Sequence, residues 1–484
     1  MNSRRAAPAR TAIVWFRRDL RLTDNPALSY ALEHAERVVP LFVYAPDEER
    51  SWAPGAASRW WLHHSLVALD AGLRKIGNPL IVQQAGNSLS ALRRCIRESG
   101  ATLVCWNKLY EPAALKRDAE VAAALDDDGV SVEQGNAALL FEPGTVLNQQ
   151  ERPYRVFTPF WRTLEKQLST LPPPSKAPRK LQPIPRALSR VAIDDLGLLP
   201  KIRWDQGLAD SWTPGESGAL KQLKQFGKHI ASYPTGRDRP DRVETSRLSP
   251  HLHFGEIGPR QVVAMLRHSH EGAAQVKGTD SYLRQIGWRE FAHHLLFHFP
   301  ATTDAPLDAR FAKQKWRRSA SDLRAWQRGA TGIPLIDAGM RELWRTGWMH
   351  NRIRMVVASV LTKNLQIHWL QGAHWFWETL VDADLANNTL GWQWVAGCGA
   401  DAAPYYRIFN PVLQAKRFDP LRGYIRQWVP ELARLPDRWI HQPWAAPEAV
   451  LQRAGVEFDK TYPRPVVDLG ESRKRALQVY SQLR

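Results

Sequence analysis

Two short segments in the second half of the chain combine charged and amide side chains with apolar neighbours. The first, Gly347–Met355, reads GWMHNRIRM, and the second, Asp382–Trp394, reads DADLANNTLGWQW. In the first segment Asn351, Arg352 and Arg354 fall on nearby positions of a predicted helix, where half-buried polar groups need partners. Such groups could form a functional site, or they could form a buried Arg–Asp network that only staples two helices. Without further context the pattern favours the staple.

The two aspartates of the second segment, Asp382 and Asp384, follow a predicted helix with an apolar face. We expect the run Asn387–Thr389 to break regular structure, because these side chains compete for backbone hydrogen bonds.

Tryptophan is unusually frequent, with 21 residues, many of them from Trp316 onward. Most are expected to pack in the core, where the indole N–H finds a partner. A redox or stacking role for a few of them requires evidence from their positions.

Both segments must be positioned by the fold of the chain. The first 135 or so residues alternate strand and helix signals. The predicted strands are Thr11–Phe16, Val38–Tyr44, Pro79–Val82 and Thr102–Trp106. The predicted helices are Pro26–Ala35, Arg59–Ile76, Ser88–Glu98 and Ala113–Leu125, the first of them capped by Asn25 with proline at its first position. This alternation predicts a parallel sheet wrapped by helices. No GxGxxG follows the first strand, which argues against a standard dinucleotide site there.

Periodicity fades from Gln134 to about Pro214, where the proline-rich, basic stretch Leu171–Pro185 indicates an extended connection over the surface. Helical patterns dominate afterwards; examples are Ser281–Phe299, Pro334–Trp344, Asn351–Leu365 and Ala373–Leu380. The predicted organisation is an α/β domain with a parallel sheet over residues 8–135, a linker over 136–214 and a mostly α-helical domain over 215–475.

Composition sets further limits on the class of protein. The chain has 484 residues, of which 44% are hydrophobic, enough for two or three domains with sizeable cores. Its net charge of +18 fits a polyanionic partner, or a basic protein whose charge is evenly spread.

Three cysteines, Cys95, Cys105 and Cys398, form no CxxC pair, which argues against a structural zinc site and a disulfide framework. This cysteine pattern indicates a reducing compartment. No signal-peptide core precedes Thr11 and no apolar run reaches membrane-spanning length, so we expect a soluble, cytoplasmic protein without a membrane partner.

An ordered set of motifs between about residue 11 and residue 470 resembles the photolyase/cryptochrome family, most of all its bacterial members that repair cyclobutane pyrimidine dimers. The motifs are Trp15–Pro26, Val156–Phe160, Thr245–Pro250, Trp288–Phe291, the two segments above and Asp401–Pro411. The family fold, a Rossmann-like α/β antenna domain followed by a helical FAD-binding domain, agrees with the framework predicted above.

The resemblance implies a U-shaped FAD in the helical domain. The residues that match its phosphate and ribityl contacts are Tyr233, Thr245, Ser246, Leu248 and Ser249, with Arg289 and Asn351 as further contacts. Arg354 and Asp382 match the pair beside the isoalloxazine ring, where a guanidinium stabilises reduced, anionic flavin. Asp384 matches a residue near the ribityl and ring edge, and Asn388 matches the residue that faces flavin N5.

The same resemblance implies an electron relay and a lesion cavity. Trp392, Trp369 and Trp316 match the chain along which electrons hop between flavin and surface. Trp288 and Trp394 match aromatic walls against which a flipped-out dimer stacks. The other cavity residues are Arg237 and Arg352, near the lesion and its phosphates, and Asn351 and Met355 on the cavity floor. Relatives that repair (6-4) photoproducts have histidines here, so this cavity favours cyclobutane dimers.

Gln285 departs from the pattern. Photolyases for cyclobutane dimers usually have glutamate at this place, whereas (6-4) photolyases and animal cryptochromes commonly have glutamine. The glutamine amide can still donate to a lesion carbonyl, but it has no acidic proton to give.

The antenna site is the second place where the pattern differs. Asn107–Glu111 resembles the region near a folate in some relatives, although Ala113 and Ala114 replace an Asn-Glu pair. Methenyltetrahydrofolate is the second chromophore that we expect, with a deazaflavin or no antenna as alternatives.

The resemblance therefore implies a monomeric, light-driven DNA repair enzyme, a carbon–carbon lyase that splits cyclobutane dimers by electron transfer from photoexcited reduced FAD. The alternatives are a (6-4) photolyase and a cryptochrome-type blue-light photoreceptor, which often carries a long tail after the segment matching Tyr462–Val466. A basic nucleic-acid-binding protein without flavin would explain the charge but not Arg354, Asp382 and Asn388.

Overall fold

A parallel β-sheet forms the centre of the first domain. The computed structural model describes residues 9–268, 272–402 and 406–483, so residues 403–405 of the Asp401–Pro411 motif lie outside it. Within these ranges the sheet has five strands: β1 Ala9–Phe16, β2 Ala35–Tyr44, β3 Ile81–Gln84, β4 Leu103–Asn107 and β5 Ser131–Gly135. Their spatial order is β3-β2-β1-β4-β5, and every pairing is parallel.

The four predicted strands are present with small shifts at their ends. β1 and β4 are almost entirely buried, which explains their continuous apolar sequences, since helices cover both faces of the sheet. The sequence prediction missed β5, because this edge strand is partly exposed and reads SVEQG, with little apolar signal.

Four helices wrap the sheet: α1 Pro26–His34, α2 Ala56–Lys75, α3 Ser88–Ser99 and α4 Pro112–Asp127. The predicted cap of α1 is confirmed, since Asn25 Oδ1 accepts the Leu28 N–H at 3.1 Å and Pro26 is the first helical residue.

The expectation of an extended surface connection over 136–214 is wrong for part of that segment. It contains the helices α5 Phe157–Gln167 and α6 Gln206–Ser211. In α5 Phe157, Phe160, Trp161 and Leu164 are buried at helical spacing, so the helix packs into a core of the second domain. Three prolines in a row at Leu171–Pro174 obscured this short helix by making the surrounding sequence look irregular.

The second domain is helical, as predicted. Its helices are α7 Glu216–Lys228, α8 Tyr233–Gly236, α9 Ser249–His253, α10 Pro259–His268, α11 Ala273–His298, α12 Ala320–Arg328, α13 Pro334–Thr346, α14 Asn351–Ser359, α15 Trp369–Thr379, α16 Leu385–Ala396, α17 Pro411–Phe418, α18 Gly423–Trp428, α19 Glu448–Ala454 and α20 Leu469–Ser481. A π-helical turn, Val360–Asn364, continues α14. None of the helices described is long and apolar enough to cross a membrane.

The turn of the helical domain that contains Phe254 and Gly255 packs into the first domain and hydrogen-bonds to it. The Leu20 N–H donates to Phe254 O at 3.1 Å, and the buried Arg21 guanidinium donates to Gly255 O at 2.8 Å. Gly255 has φ +64°, and a Cβ there would lie 2.1 Å from Arg18 O, so only glycine fits. Glu216 adds a second link by accepting the Leu22 N–H at 2.9 Å.

Candidate functional site

Arg354 and Asp382 form the ion pair that the two sequence segments predict. Arg354 Nη2 lies 2.8 and 3.1 Å from the two Asp382 carboxylate oxygens, and Arg354 Nε donates to Met349 O at 2.7 Å. The Asp382 side chain is only 3% exposed, whereas that of Arg354 is 23% exposed. Met349 O and the Asp382 carboxylate therefore hold the guanidinium through Nε and Nη2, which leaves Nη1 for a ligand.

Asp384 caps helix α16. Its carboxylate accepts the Asn387 N–H at 2.8 Å and the Asn387 side-chain NH2 at 2.7 Å. The prediction that Asn387–Thr389 breaks regular structure is thus wrong, because this cap starts a helix that runs through all three residues.

Two histidines surround the Asp384 carboxylate. His293 Nε2 lies 3.4 Å and His253 Nδ1 3.6 Å from its second oxygen. Burial alone would raise the pKa of Asp384, but His293, His253 and Arg289 outweigh it and hold the pKa well below its usual range. This carboxylate therefore stays ionised at the base of the site.

Asn388 lies on the first turn of α16, half-buried. Its Nδ2 donates to Ala373 O in α15 at 3.1 Å. Because only the nitrogen of the amide can donate to a carbonyl, this bond leaves the Asn388 oxygen as a free acceptor.

The segment Thr245–Ser249 presents hydroxyl groups. Ser246 Oγ accepts from the Tyr282 hydroxyl at 2.8 Å and from the Leu248 N–H at 3.3 Å, and Ser249 Oγ accepts from the Trp348 indole at 3.4 Å. Thr245 is half-buried and Tyr233 is buried against Tyr282. Arg247 has φ +50°, a left-handed conformation that non-glycine residues rarely adopt and that is often found at functional sites.

Arg289 contacts the linker instead of the Thr245–Ser249 segment. Its Nη1 donates to Ala138 O at 2.6 Å, and its Nη2 lies 3.5 Å from Leu252 O.

Several buried donors in this region have no protein partner in the described part of the chain. They are Arg247 Nε, Arg352 Nε and Trp392 Nε1, and His350 Nε2 is likewise unpaired. Orphaned donors of this kind fit an acceptor-rich cofactor with phosphates and a polar ring system. The residues present therefore suit FAD.

Two of the three tryptophans predicted for the electron relay are buried, and the third is partly exposed. Trp392 and Trp369 are each 2% exposed, and Trp316 is half-buried. The His368 ring lies between the last two, with centroids 5.7 Å from Trp369 and 5.0 Å from Trp316. Gly372 makes room for Trp392, since a Cβ there would lie 2.0 Å from the indole.

The two tryptophans predicted as cavity walls are each held by a neighbouring group. Trp288 stacks on the buried Phe157 ring at 3.7 Å between centroids, with the planes 9° apart. The Trp394 indole donates to Asp401 O at 3.1 Å. Asp401 in turn bonds to the Phe157 backbone, so one residue ties the two walls together.

The predicted basic residues of the cavity are held by side chains at its edge. Arg237 Nη2 donates to Gln285 Oε1 at 3.0 Å, and Arg352 Nη2 pairs with Asp238 at 2.8 Å. Arg352 Nη1 also lies 3.9 Å from Met355 Sδ. Asn351 is exposed at the first position of α14.

Sequence reasoning missed several residues of this site: Phe157, Asp238, Arg247, His253, His293 and Asp401. Three of them could have been found, since Phe157, Arg247 and Asp401 each lie in one of the motifs quoted above. His253 and His293 are far apart in sequence, and no spacing indicates that both reach Asp384.

A partly open cavity lies between the domains at the carboxyl ends of β1 and β2. We call it the inter-domain cavity; its walls include Trp15, Arg18, Tyr44, Glu49, His253 and Trp377. From the predicted antenna segment Asn107–Glu111, Leu109 reaches it. The Asn107 side chain instead bonds inside the first domain, donating to Asp19 Oδ2 at 2.6 Å.

Two family models match the chain. The model described as the FAD binding domain of DNA photolyase matches residues 282–482, and the model described as DNA photolyase matches residues 12–179.

Full-length relatives match as well. The deoxyribodipyrimidine photo-lyase of Agrobacterium fabrum is 45% identical over 482 residues, 98% of each chain. Cryptochrome-1 of Arabidopsis thaliana is 40% identical over 481 residues, 98% of this chain and 70% of the plant protein. The crystal structure of a bacterial class III photolyase from Agrobacterium tumefaciens matches with a TM-score of 0.93 and 44% identity, covering 100% of this chain and 98% of that chain.

Proposed function

The chain belongs to the DNA photolyase/cryptochrome family, and we propose that it is a deoxyribodipyrimidine photolyase, a carbon–carbon lyase that uses light to split cyclobutane pyrimidine dimers in damaged DNA. The observation that carries this proposal is that helix α16 holds residues predicted for three parts of the site. They are Asn388 for the cofactor, Trp392 one turn later on the same face for the electron relay, and Trp394 for the lesion cavity.

When bound, reduced FAD would supply light-driven one-electron chemistry for breaking the two carbon–carbon bonds of the cyclobutane ring, with the electron returned so that no net oxidation or reduction results. Arg354 supplies a fixed positive charge for the anionic ring, and the Thr245–Ser249 segment supplies hydroxyls and backbone N–H groups for the phosphates. The free Asn388 oxygen is an acceptor for an N–H at the ring edge.

The lesion is bound by stacking and one oriented amide. Phe157 covers one face of Trp288, which leaves the opposite face for a flipped-out base. Because Arg237 occupies the Gln285 oxygen, the Gln285 NH2 is free to donate to a pyrimidine carbonyl. Gln285 therefore serves for binding in spite of having no acidic proton.

Anaerobic repair of a thymine-dimer oligonucleotide under blue light, by chemically reduced enzyme, tests this proposal. We expect restoration in the light and none in a dark control. A parallel (6-4) oligonucleotide should remain unrepaired. Repair of the (6-4) lesion alone would move the substrate assignment to that photoproduct.

Trp288→Ala should weaken binding to dimer-containing DNA by about ten- to a hundredfold, because stacking on an aromatic ring contributes roughly 1–3 kcal/mol per base. Binding to undamaged DNA, which depends on phosphates and is salt-sensitive, should stay the same. Trp344→Ala is the matched control, since Trp344 is exposed and stacks on Trp375. Equal losses for damaged and undamaged DNA would contradict the stacking role.

A blue-light photoreceptor is the second candidate, because Gln285 differs from the usual repair residue and Cryptochrome-1 is 40% identical. FAD that binds and responds to light, in a protein that repairs neither lesion, would favour this function.

We also propose that the inter-domain cavity holds a second chromophore, with methenyltetrahydrofolate as the first candidate. Aromatic walls at Trp15 and Trp377 suit a planar ring. Arg18 lies at the same wall, where it pairs with Glu111 at 2.8 Å. Reconstitution with the folate should add an absorption band that Trp15→Ala removes.

A further inference from the structure

Glu342 is a buried carboxyl group that contacts the segment carrying Arg354. It lies on α13, 8% exposed. One of its oxygens, Oε2, accepts from the Tyr424 hydroxyl at 2.6 Å and from the His350 N–H at 3.5 Å. No step of the proposed repair reaction uses this group.

One peptide group joins Glu342 to Arg354: the His350 N–H donates to Glu342 Oε2 at 3.5 Å, and the Met349 carbonyl accepts from Arg354 Nε at 2.7 Å. Two arginines also act on Glu342 electrostatically. Arg247 belongs to the Thr245–Ser249 segment, and Arg354 belongs to the ring site. Neither guanidinium in the described structure comes within ion-pair distance of the Glu342 carboxyl. Trp348 lies between the two arginines, 5.0 Å from the Arg247 guanidinium and 6.0 Å from that of Arg354.

We propose that Glu342 is a positioning residue that acts through Arg354, and that its charge state sets how strongly the site stabilises reduced, anionic flavin. This inference rests on the proposed function, since it requires FAD beside Arg354.

Glu342 and Asp419 are the two groups around Tyr424 whose pKa lies near neutral. Burial raises the pKa of Asp419, which accepts the Tyr424 N–H at 3.1 Å, to about 6. Burial raises the pKa of Glu342 to about 7, against the opposing effects of Tyr424, the His350 N–H, Arg247 and Arg354. Burial lowers the pKa of the His350 ring to about 4, so it is neutral, although Asp238, Arg352 and Arg354 also face it. Burial and Glu342 itself raise the pKa of Tyr424 well above its usual range.

The sign of the effect follows from the charges. Below the Glu342 pKa the carboxyl is neutral, so the positive charges of Arg354 and Arg247 act fully on the reduced flavin. Above it, the carboxylate offsets part of that charge and the anionic flavin is less stable. The flavin reduction potential should therefore fall more steeply with pH around the Glu342 pKa than on either side.

Glu342→Gln tests this directly, because the amide keeps an acceptor for Tyr424 but cannot ionise. The measurement is a spectroelectrochemical titration of the holoenzyme from about pH 6 to 8.5, around the Glu342 pKa. We expect an inflection near pH 7 in the wild type, its loss in Glu342→Gln, and a higher potential for that variant at the alkaline end. Glu431→Gln is the matched control, since this half-buried carboxylate pairs with Arg341 of the same helix at 2.7 Å and should leave the inflection in place.

Tyr424→Phe provides an independent second variant. Its hydroxyl lowers the pKa of Glu342, so its removal should move the inflection to higher pH. A wild type without the inflection, or variants that keep it unchanged, would overturn the inference. FAD content and blue-light repair measured on the same wild-type sample separate the two proposals: a protein that repairs but shows no inflection defeats only this one.

Discussion

Arg354→Ala should weaken FAD binding by about ten- to a hundredfold, because a hydrogen bond to a charged group is worth roughly 1.5–3 kcal/mol. It should also lower the free energy of unfolding by about 3 kcal/mol, since Asp382 would remain buried without its partner. FAD content after gel filtration and thermal unfolding of the apoprotein measure the two effects separately.

The double variant Arg354→Ala/Asp382→Asn distinguishes a cofactor site from a pair that only staples two helices. Removing the stranded carboxylate should restore much of the lost stability while FAD binding stays weak. If FAD binding recovers together with stability, the pair is only structural. Asp437→Asn is the control, because Asp437 pairs with Arg426 at 2.8 Å on the exposed surface and should change neither quantity.

Trp392→Phe should slow photoreduction of oxidised flavin by more than about tenfold, a rise of about 1.4 kcal/mol in the effective barrier. Phenylalanine is harder to oxidise than indole, and Trp392 is one of the two buried members of the proposed relay, on the same helix as Asn388. Repair by chemically reduced enzyme should be unaffected, since the relay serves only to reduce the flavin.

Trp326→Phe is the matched control for this relay. Trp326 is fully buried, with its ring centroid 6.2 Å from that of Trp392, and it has no place in the predicted chain. Both variants leave a similar cavity, so a loss of stability should be common to them. Equal slowing of photoreduction in both variants would show that packing, and not hole transfer through Trp392, causes the effect.

The sequence predicted the two-domain framework because its strongest signals are local. Strands covered on both faces are continuous apolar runs, and the long helices repeat their apolar residues at helical spacing. β5 and α5 escaped detection for opposite reasons: β5 is a polar edge strand, and α5 is a short buried helix next to a run of prolines.

Site residues that lie in a recognisable sequence motif could be predicted. Site residues that only tertiary packing brings together could not. Arg354 and Asp382 each lie in a recognisable segment. The two histidines at Asp384 and the carboxyl of Glu342 come from other helices, and only tertiary packing brings them to the site. The run Asn387–Thr389 was misleading because residues of these types favour irregular structure. Here the Asp384 carboxylate accepts the Asn387 N–H and starts a helix that includes the run.

The insertion of the Gly255 turn into the first domain has a consequence for biosynthesis. Arg21 and its acceptor Gly255 are separated by 234 residues, an interval that a ribosome needs on the order of ten to fifty seconds to translate. During that interval the Arg21 guanidinium has only the nearby carbonyls of Thr23 and Asp24 and, later, Ala137 as acceptors. The nascent first domain therefore emerges without the hydrogen bonds of Leu20 and Arg21 to Phe254 and Gly255. These contacts form only when the start of the helical domain leaves the exit tunnel.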